Sequence, residues 1–280
     1  MAVPVEIASN HVYLPVRVNG SAPLWFLLDS GAGIPAALVD AGRAAELGLR
    51  AEGSTNAAAI GGQARVEFAD GVRYSVAGVE IGPQRVGLMP LAEHAAEEGH
   101  AIDGILGHDF FSRFVVEIDY GARTVRLHDP GRYRYAGSGA VLPIEFEGKV
   151  PTTRGTARGD AGRAARGKFV VDTGHDELLV LSRRFAEGIG VRGLTARARH
   201  GAGLGGDTSS VAARLRELRV GPYRLAGSVV RVSLDQAGAL AGDGVDGFIG
   251  GEYLRRFRVV FDYGRRQLVL EPGAAAAATR

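Results

Sequence analysis

The sequence predicts a mainly β fold of two lobes related by a pseudo-twofold axis, each a small β-barrel with a few short helices. Two observations carry this prediction: a sustained internal repeat, and short apolar runs interrupted by many of the 42 glycines. Because the glycines lack a collagen-like period, we assign them to turns and hairpins. At 280 residues the chain exceeds the usual size of one domain, and its 46% hydrophobic residues can supply a core for each lobe.

The repeat is centred on an Asp-hydroxyl-Gly triplet that follows an apolar run. The first copy is Asp29-Ser30-Gly31 and the second is Asp172-Thr173-Gly174. An apolar-apolar-Gly signature ends at Gly107 in the first half and at Gly250 in the second, 78 positions after the aspartate in both cases. Two aspartates at equivalent places in related lobes can be brought face to face by twofold packing.

The match between the halves extends beyond these motifs and suggests where the lobes begin and end. Further identities pair Asp103-Gly104 with Asp246-Gly247, Phe114 with Phe257, Val116 with Val259, Asp119-Tyr120-Gly121 with Asp262-Tyr263-Gly264, and Leu127 with Leu270. Such sustained identity indicates a duplication. We predict an N-terminal lobe over residues 1–135, a C-terminal lobe over 136–272 and a flexible tail over 273–280, with the linker within residues 129–139.

Most other segments are predicted to be short strands. Residues 12–18 alternate in part between apolar and polar side chains, and Asn19-Gly20 then gives a hairpin signal. A basic hairpin over residues 159–167 is expected in the second half only. Helices are predicted in four places, the first two of which open with an N-cap residue: 40–49, 182–191, 109–113 and 252–256.

Composition excludes several classes of function. The absence of cysteine rules out disulfides, thiol catalysis and cysteine-ligated zinc. The net charge is +2; residues 1–135 hold 11 basic and 16 acidic residues, whereas the remainder holds 22 and 15, without a block typical of nucleic-acid binding. No apolar run of about 18 residues predicts a membrane span, and the N-terminus lacks the order of a signal peptide. We therefore expect a soluble, cytoplasmic protein, or alternatively the mature form of a periplasmic or secreted one.

The paired aspartates suit general acid–base catalysis. Two carboxylates about 3 Å apart cannot both ionise cheaply, so they share one proton. The ionised partner can deprotonate a water while the protonated partner polarises a carbonyl, with no covalent intermediate, metal or cofactor. A single Asp-Ser-Gly or Asp-Thr-Gly usually marks only a turn, and it is the doubled context that indicates a site.

Over nearly its whole length the chain resembles the bilobal pepsin/retropepsin-like aspartic peptidases, specifically the bacterial type with two retropepsin-like halves. The resemblance implies two acid-protease lobes with Asp29 and Asp172 as the catalytic pair. It further implies that the apolar-Gly signatures hold the active-site turns and that the two hydroxyl residues hydrogen-bond across the lobe interface. The residues implied to support the dyad are Ser30, Gly31, Thr173 and Gly174.

Each half also has a glycine-rich point between its two signatures. Retropepsins carry a glycine tip on both subunits, so the resemblance implies two flaps that cover an extended peptide. The alternative is a pair of ordinary surface hairpins. The candidate substrate-binding residues at these tips are Ile60, Gly61, Gly62, Leu204, Gly205 and Gly206.

The chain departs from the pepsin pattern three positions after each aspartate. Pepsins place Ser or Thr there, whereas this chain has Ala32 and His175. Alanine is accepted by analogy with retropepsins. His175 either is a structural residue, the commoner role for such a histidine, or lies beside the dyad, where it alters the proton affinity of the pair or contacts substrate. The adjacent Asp176 either binds substrate backbone or, as we expect, pairs with an arginine.

Together these observations predict a monomeric aspartic endopeptidase that acts on an extended peptide or protein. No cofactor, metal, nucleic-acid partner or membrane span is expected. An alternative uses the same dyad on a small molecule, in a hydrolysis, cyclisation or isomerisation. A third hypothesis, a binding or scaffold protein with a degenerate site, is disfavoured because both aspartates are present.

Overall fold

The computed structural model describes residues 1–34, 36–194 and 197–273, so residues 274–280 of the predicted tail lie outside it. The strands of the first half are β1 (Ala2–Pro4), β2 (Glu6–Ala8), β3 (His11–Val18), β4 (Leu24–Leu28), β5 (Ala37–Asp40), β6 (Ser54–Ala59), β7 (Gly62–Val76), β8 (Val79–Met89), β9 (Gly104–Leu106), β10 (Val115–Asp119) and β11 (Thr124–His128). Those of the second half are β12 (Ala140–Pro143), β13 (Glu145–Glu147), β14 (Val150–Gly159), β15 (Ala164–Val171), β16 (Leu179–Leu181), β17 (Arg199–Gly203), β18 (Gly206–Val220), β19 (Tyr223–Ser233), β20 (Gly247–Ile249), β21 (Phe257–Asp262) and β22 (Gln267–Pro272). The helices are α1 (Ala92–Glu98), α2 (His108–Arg113), α3 (Arg183–Gly188) and α4 (Gly251–Leu254).

Each lobe contains an eight-stranded sheet with the same topology. The orders are β2-β3-β4-β9-β5-β8-β7-β6 in the first lobe and β13-β14-β15-β20-β16-β19-β18-β17 in the second. In both, the strand that leads to the aspartate runs parallel to the strand of the apolar-Gly signature, with Leu28 opposite Leu106 and Val171 opposite Ile249. The additional pairings β3–β7 and β14–β18 close each sheet further. The sequence repeat is therefore a duplication of the whole lobe, as predicted.

A six-stranded sheet joins the two lobes. Its order is β1-β11-β10-β21-β22-β12, and its central pairing is antiparallel between β10 and β21, with Ile118 opposite Val259. Both of these side chains are fully buried, as is the neighbouring Phe261. Burial of apolar surface is the main favourable term in folding. The shared core therefore holds the lobes, and with them the two aspartates, in one relative position.

Three of the four predicted helices are present, as α2, α3 and α4. The predicted N-cap of α3 is confirmed, because the Ser182 hydroxyl accepts a hydrogen bond from the Phe185 amide at 3.2 Å. A serine cap of this kind satisfies one of the amides that the first helical turn leaves unpaired. None of the helices in the described residues is both long and apolar enough to cross a membrane.

The predicted helix over residues 40–49 is wrong. The chain forms only a 3₁₀ turn over Ala41–Arg43, followed by further turns. Asp40 resembles an N-cap in sequence, but its carboxylate accepts a hydrogen bond from the Leu91 amide at 2.8 Å instead of capping. A long-range contact thus takes the side chain that the local pattern assigned to the helix, and Gly42 and Gly48 weaken the helix further.

The basic hairpin predicted only for the second half also has a counterpart in the first. Tyr13 pairs with Leu27 across β3 and β4, a separation of 14 residues. At the equivalent place across β14 and β15, Thr152 pairs with Val170, a separation of 18 residues. The second lobe therefore lengthens a shared hairpin by four residues, and the prediction of a separate insertion is wrong.

Candidate active site

Both aspartates lie at the end of a buried strand that fixes their backbone. Asp29 follows β4, and its amide donates a hydrogen bond to the Leu106 carbonyl at 2.9 Å. Asp172 follows β15, and its amide donates to the Ile249 carbonyl, also at 2.9 Å. The aspartate and the apolar-Gly signature are thus neighbours in the sheet, which explains why their spacing is the same in both halves.

The two carboxyl groups meet at the lobe interface and are hydrogen-bond neighbours. Asp29 is 8% exposed and Asp172 is 3% exposed. A Cβ added to Gly31 would lie 2.4 Å from Cγ of Asp172, and one added to Gly174 would lie 2.2 Å from Cγ of Asp29. Each turn glycine therefore lies directly against the opposite carboxyl, where no larger residue fits.

Burial raises the pKa of both carboxyl groups. The pKa of Asp172 is raised well above its ordinary value of 3.8, first by desolvation and then by the charge of Asp29. Desolvation also raises the pKa of Asp29, although the hydrogen bond to Asp172, the Gly31 amide and the charge of His11 oppose the rise. A pair of this kind holds one proton between its two members over a wide pH range.

The hydroxyl residues after the aspartates tie the lobes together beneath the dyad. The Ser30 amide donates to Oγ1 of Thr173 at 2.9 Å, and the Thr173 amide donates to Oγ of Ser30 at 3.0 Å. The hydroxyls donate onward to backbone carbonyls, that of Thr173 to Leu28 at 2.6 Å and that of Ser30 to Val171 at 2.8 Å. Both hydroxyl residues are completely buried. The resulting network is symmetric and fixes the separation of the two turns.

We predict that Thr173→Val destabilises the protein substantially. Valine keeps the shape of threonine but leaves the buried Ser30 amide and Leu28 carbonyl without their partner, at a cost of roughly 1–3 kcal/mol for each group. Urea unfolding of the variant should show this loss. The control is Thr156→Val on β14, where the threonine is half-buried and makes no side-chain hydrogen bond within the described residues. Equal stability of the two variants would contradict the prediction.

In each lobe an equivalent aspartate accepts a hydrogen bond from the strand that leads to the Asp-hydroxyl-Gly turn. The Asp103 carboxylate accepts from the Trp25 amide at 2.8 Å, and the Asp246 carboxylate accepts from the Lys168 amide at 2.9 Å. Both bonds join residues that are 78 positions apart. The aspartate that begins each downstream signature is therefore structural, since it accepts a hydrogen bond from the strand that leads into the Asp-hydroxyl-Gly turn.

Two tyrosines beneath the dyad were not assigned to the site by sequence reasoning. Tyr263 is buried, and its hydroxyl approaches the Ser30 carbonyl at 3.5 Å. Burial and then the charges of Asp29 and Asp172 raise its pKa well above the ordinary value. Burial likewise raises the pKa of Tyr120, the equivalent residue of the first lobe, and the charge of Asp172 adds to that rise. The repeated Asp-Tyr-Gly motif carries a signal for both residues, since it places one tyrosine at the same position of each half.

The two predicted tips are the turns of the hairpins β6–β7 and β17–β18, and they touch each other. The Gly205 amide donates to the Ile60 carbonyl at 2.8 Å. A Cβ added to Gly61 would lie 2.2 Å from the Gly206 carbonyl oxygen. Leu204 packs against an apolar cluster of the first lobe that includes Val66. The structure therefore brings all six tip residues together: Ile60, Gly61, Gly62, Leu204, Gly205 and Gly206.

His175 and Asp176 line a cavity of about 140 Å³ in the second lobe. The His175 side chain is partly exposed, and its Nδ1 lies 3.8 Å from a carboxylate oxygen of Asp176. An arginine pairs with the residue after Asp176: Nη1 of Arg199 lies 3.3 Å from the carboxylate of Glu177. Within the described ranges no three His, Asp or Glu side chains are grouped as a metal site would require.

A two-lobed β protein with a buried aspartate from each lobe, joined by reciprocal hydroxyl bonds, has the architecture of a bilobal, retropepsin-like acid protease. The family model for aspartyl proteases matches the chain twice, over residues 14–110 and 154–253. Each match contains one Asp-hydroxyl-Gly triplet. The chain therefore belongs to the aspartyl protease family, in agreement with the resemblance seen in the sequence. A comparison with curated proteins found no significant match.

Proposed function

We propose that this chain is an endopeptidase in which Asp29 and Asp172 activate a water for attack on a peptide bond. The observation that carries the proposal is the burial of both carboxyls against each other, an arrangement that raises the pKa of both and favours a single shared proton. Family membership supports aspartic protease activity in general. A buried carboxyl pair costs stability, and such an arrangement is typical of a functional site.

In the proposed mechanism the carboxylate of Asp29 takes a proton from water, whose oxygen bonds to the scissile carbonyl carbon. Asp172 donates its proton to the carbonyl oxygen, which gives a neutral tetrahedral intermediate. When the carbon–nitrogen bond breaks, one proton passes to the leaving nitrogen and another returns from the intermediate's hydroxyl to the dyad. General acid–base catalysis of this kind contributes about 10²–10⁴-fold.

The same arrangement supports a single chain acting on an extended peptide. Both halves of the dyad come from one polypeptide, so a monomer suffices for catalysis. The two hairpins carry long strands with backbone groups near their tips, and an extended substrate can hydrogen-bond to such groups. Because the Gly205 amide bonds to the Ile60 carbonyl across the tips, entry of a peptide requires this contact to open.

We expect a bell-shaped pH profile when the purified protein is incubated with an unfolded protein or a peptide library between pH 3 and 8. The alkaline limb reflects loss of the shared proton, and desolvation raises the pKa of Asp172, so activity should persist above the pH at which an ordinary aspartic acid ionises. At low pH a second proton neutralises the base and the rate falls. Absence of cleavage throughout this range would refute the proposal.

Two observations favour a second candidate function, acid–base chemistry by the same dyad on a small molecule. His175 lines a compact cavity, and the hairpin tips contact each other. A compact cavity next to touching hairpin tips suits a small ligand that needs no long cleft. If the peptide library is untouched, a screen for polar small molecules that raise the unfolding temperature of wild type would test this alternative.

A further inference from the structure

The two lobes differ at one equivalent position of their matching sheets. In the first lobe Gly87 on β8 lies opposite Leu38, whereas in the second lobe Arg231 on β19 lies opposite Val180. A Cβ added to Gly87 would lie 2.5 Å from Leu38 Cδ2 and 2.8 Å from Val66 Cγ1. The first lobe has thus filled this space with its own apolar side chains, while the second lobe places a guanidinium there.

Beside this guanidinium lies the cavity of about 140 Å³. Its wall includes His175 and Asp176, which follow the catalytic turn of Asp172 directly in sequence, and Ile60 of the first-lobe hairpin tip. It therefore extends from the segment that follows the Asp172 turn to the tip of the first-lobe hairpin. Its volume suits one long side chain of a substrate better than a folded or branched ligand.

The floor of the cavity carries an ion pair that is partly withdrawn from solvent. The Arg231 side chain is 13% exposed and the Glu177 side chain 27% exposed, with Nε of Arg231 3.8 Å from the carboxylate. Arg231 is held mainly by Ser210, whose carbonyl and hydroxyl oxygens accept hydrogen bonds from Nη2 at 3.0 and 2.8 Å. The guanidinium is therefore held at the cavity wall by Ser210, and it neutralises the negative charge of Glu177 only in part.

Leaving the histidines out, the cavity lining holds more acidic than basic side chains. The carboxylates of Asp176, Glu177 and Asp235 face two guanidiniums, and Arg199, the second of these, is 69% exposed. Desolvation and then the charge of Asp176 raise the pKa of Glu177, as expected where the negative charge is incompletely balanced. A cation entering the cavity would restore the balance.

We infer that this cavity is a substrate subsite for a positively charged side chain, lysine or arginine, and that Glu177 is the residue that selects it. The inference rests on the proposed peptidase function for the identity of the ligand. Selection is one-sided, because the equivalent space of the first lobe is occupied by Leu38 and Val66. Arg231 positions Glu177, and the carboxylates of Glu177 and Asp176 exclude acidic side chains by repulsion.

The test compares cleavage of matched peptides that carry lysine, norleucine or glutamate at the position that a library digest identifies as selective. We expect wild type to prefer lysine over norleucine by about tenfold or more in kcat/KM, the usual strength of a hydrogen bond to a charged group. Glu177→Gln should reduce this ratio to about one, whereas Glu177→Asp should retain part of it. The matched control is Glu187→Gln, which removes an exposed bond to Arg183 on α3, 2.8 Å long, and should retain the full preference.

Binding to the Asp172→Asn variant separates this inference from the proposed function. If wild type cleaves but shows no preference for lysine, or if Glu177→Gln retains the preference, the subsite inference fails and the peptidase proposal stands. If nothing is cleaved, the peptidase proposal fails, and fluorescence anisotropy with the labelled lysine and norleucine peptides decides the subsite. Equal affinity for the two peptides would then overturn it, and tighter binding of the lysine peptide that Glu177→Gln abolishes would support it.

Discussion

Asp172→Asn is expected to abolish hydrolysis and at the same time to stabilise the protein at neutral pH. Asparagine cannot donate the shared proton, so kcat should fall by at least about a thousandfold. The amide keeps an oxygen that can accept the 2.9 Å hydrogen bond from the Gly174 amide. It also removes a buried carboxyl that stays protonated in the folded protein but ionises on unfolding at neutral pH, and the gain in unfolding free energy should be of the order of 1–3 kcal/mol. Loss of activity with a gain in stability would distinguish a functional residue from a structural one.

The stability gain should depend on pH in a defined direction. The pKa of Asp172 is raised in the folded protein, so unfolding releases its proton between the ordinary value of 3.8 and the raised value. Wild type therefore loses stability as the pH rises through that window, while Asp172→Asn does not. Urea unfolding at pH 3 should show little difference between the two proteins, and at pH 7 the full difference. An equal difference at both values would mean that Asp172 does not titrate in this way.

Asp29→Asn serves as the companion variant. It should also abolish hydrolysis, because the ionised partner that accepts the proton from water is lost. Burial raises the pKa of Asp29 as well, but the hydrogen bond to Asp172 opposes that rise, so its stability gain should be the smaller of the two. Full activity in either variant would exclude a two-carboxyl mechanism.

Gly174→Ala is expected to have the second largest effect, although alanine adds only one methyl group. Its Cβ would lie 2.2 Å from Cγ of Asp29, so one of the two turns has to move. A displacement of about 1 Å between reacting groups costs on the order of a hundredfold in rate. Overpacking of this kind also costs about 1–3 kcal/mol in stability. Gly31→Ala should behave alike, because its Cβ would lie 2.4 Å from Cγ of Asp172.

The matched control for the two turn glycines is Gly188→Ala in α3. A Cβ at Gly188 meets no atom within 4 Å, and alanine is the better helix former. This variant should keep wild-type kcat/KM and stability. If Gly174→Ala behaves like Gly188→Ala in both measurements, the close approach of turn and carboxyl is not what organises the dyad.

Most of the lobe architecture could be predicted from the sequence because it depends on local patterns and on patterns that both halves repeat. The equal spacing of Asp29 to Gly107 and of Asp172 to Gly250 indicated two equivalent lobes, and the sheets confirm it. The Ser182 cap predicted α3 correctly because its partner is three residues away. The same reasoning failed at Asp40, whose partner is the distant Leu91 amide.

Some properties of the site were decided only by the tertiary structure. The sequence by itself identified both triplets and the asymmetry at His175, since these are differences between aligned halves. It could not identify Glu177 as the partner of the arginines or the contact between the hairpin tips. These features depend on which side chains from different strands meet in three dimensions, and a pattern along one strand does not specify its neighbours. The sequence likewise could not show that Leu38 and Val66 fill the space beside Gly87 while a charged cavity lies beside Arg231, because this difference also depends on neighbouring strands.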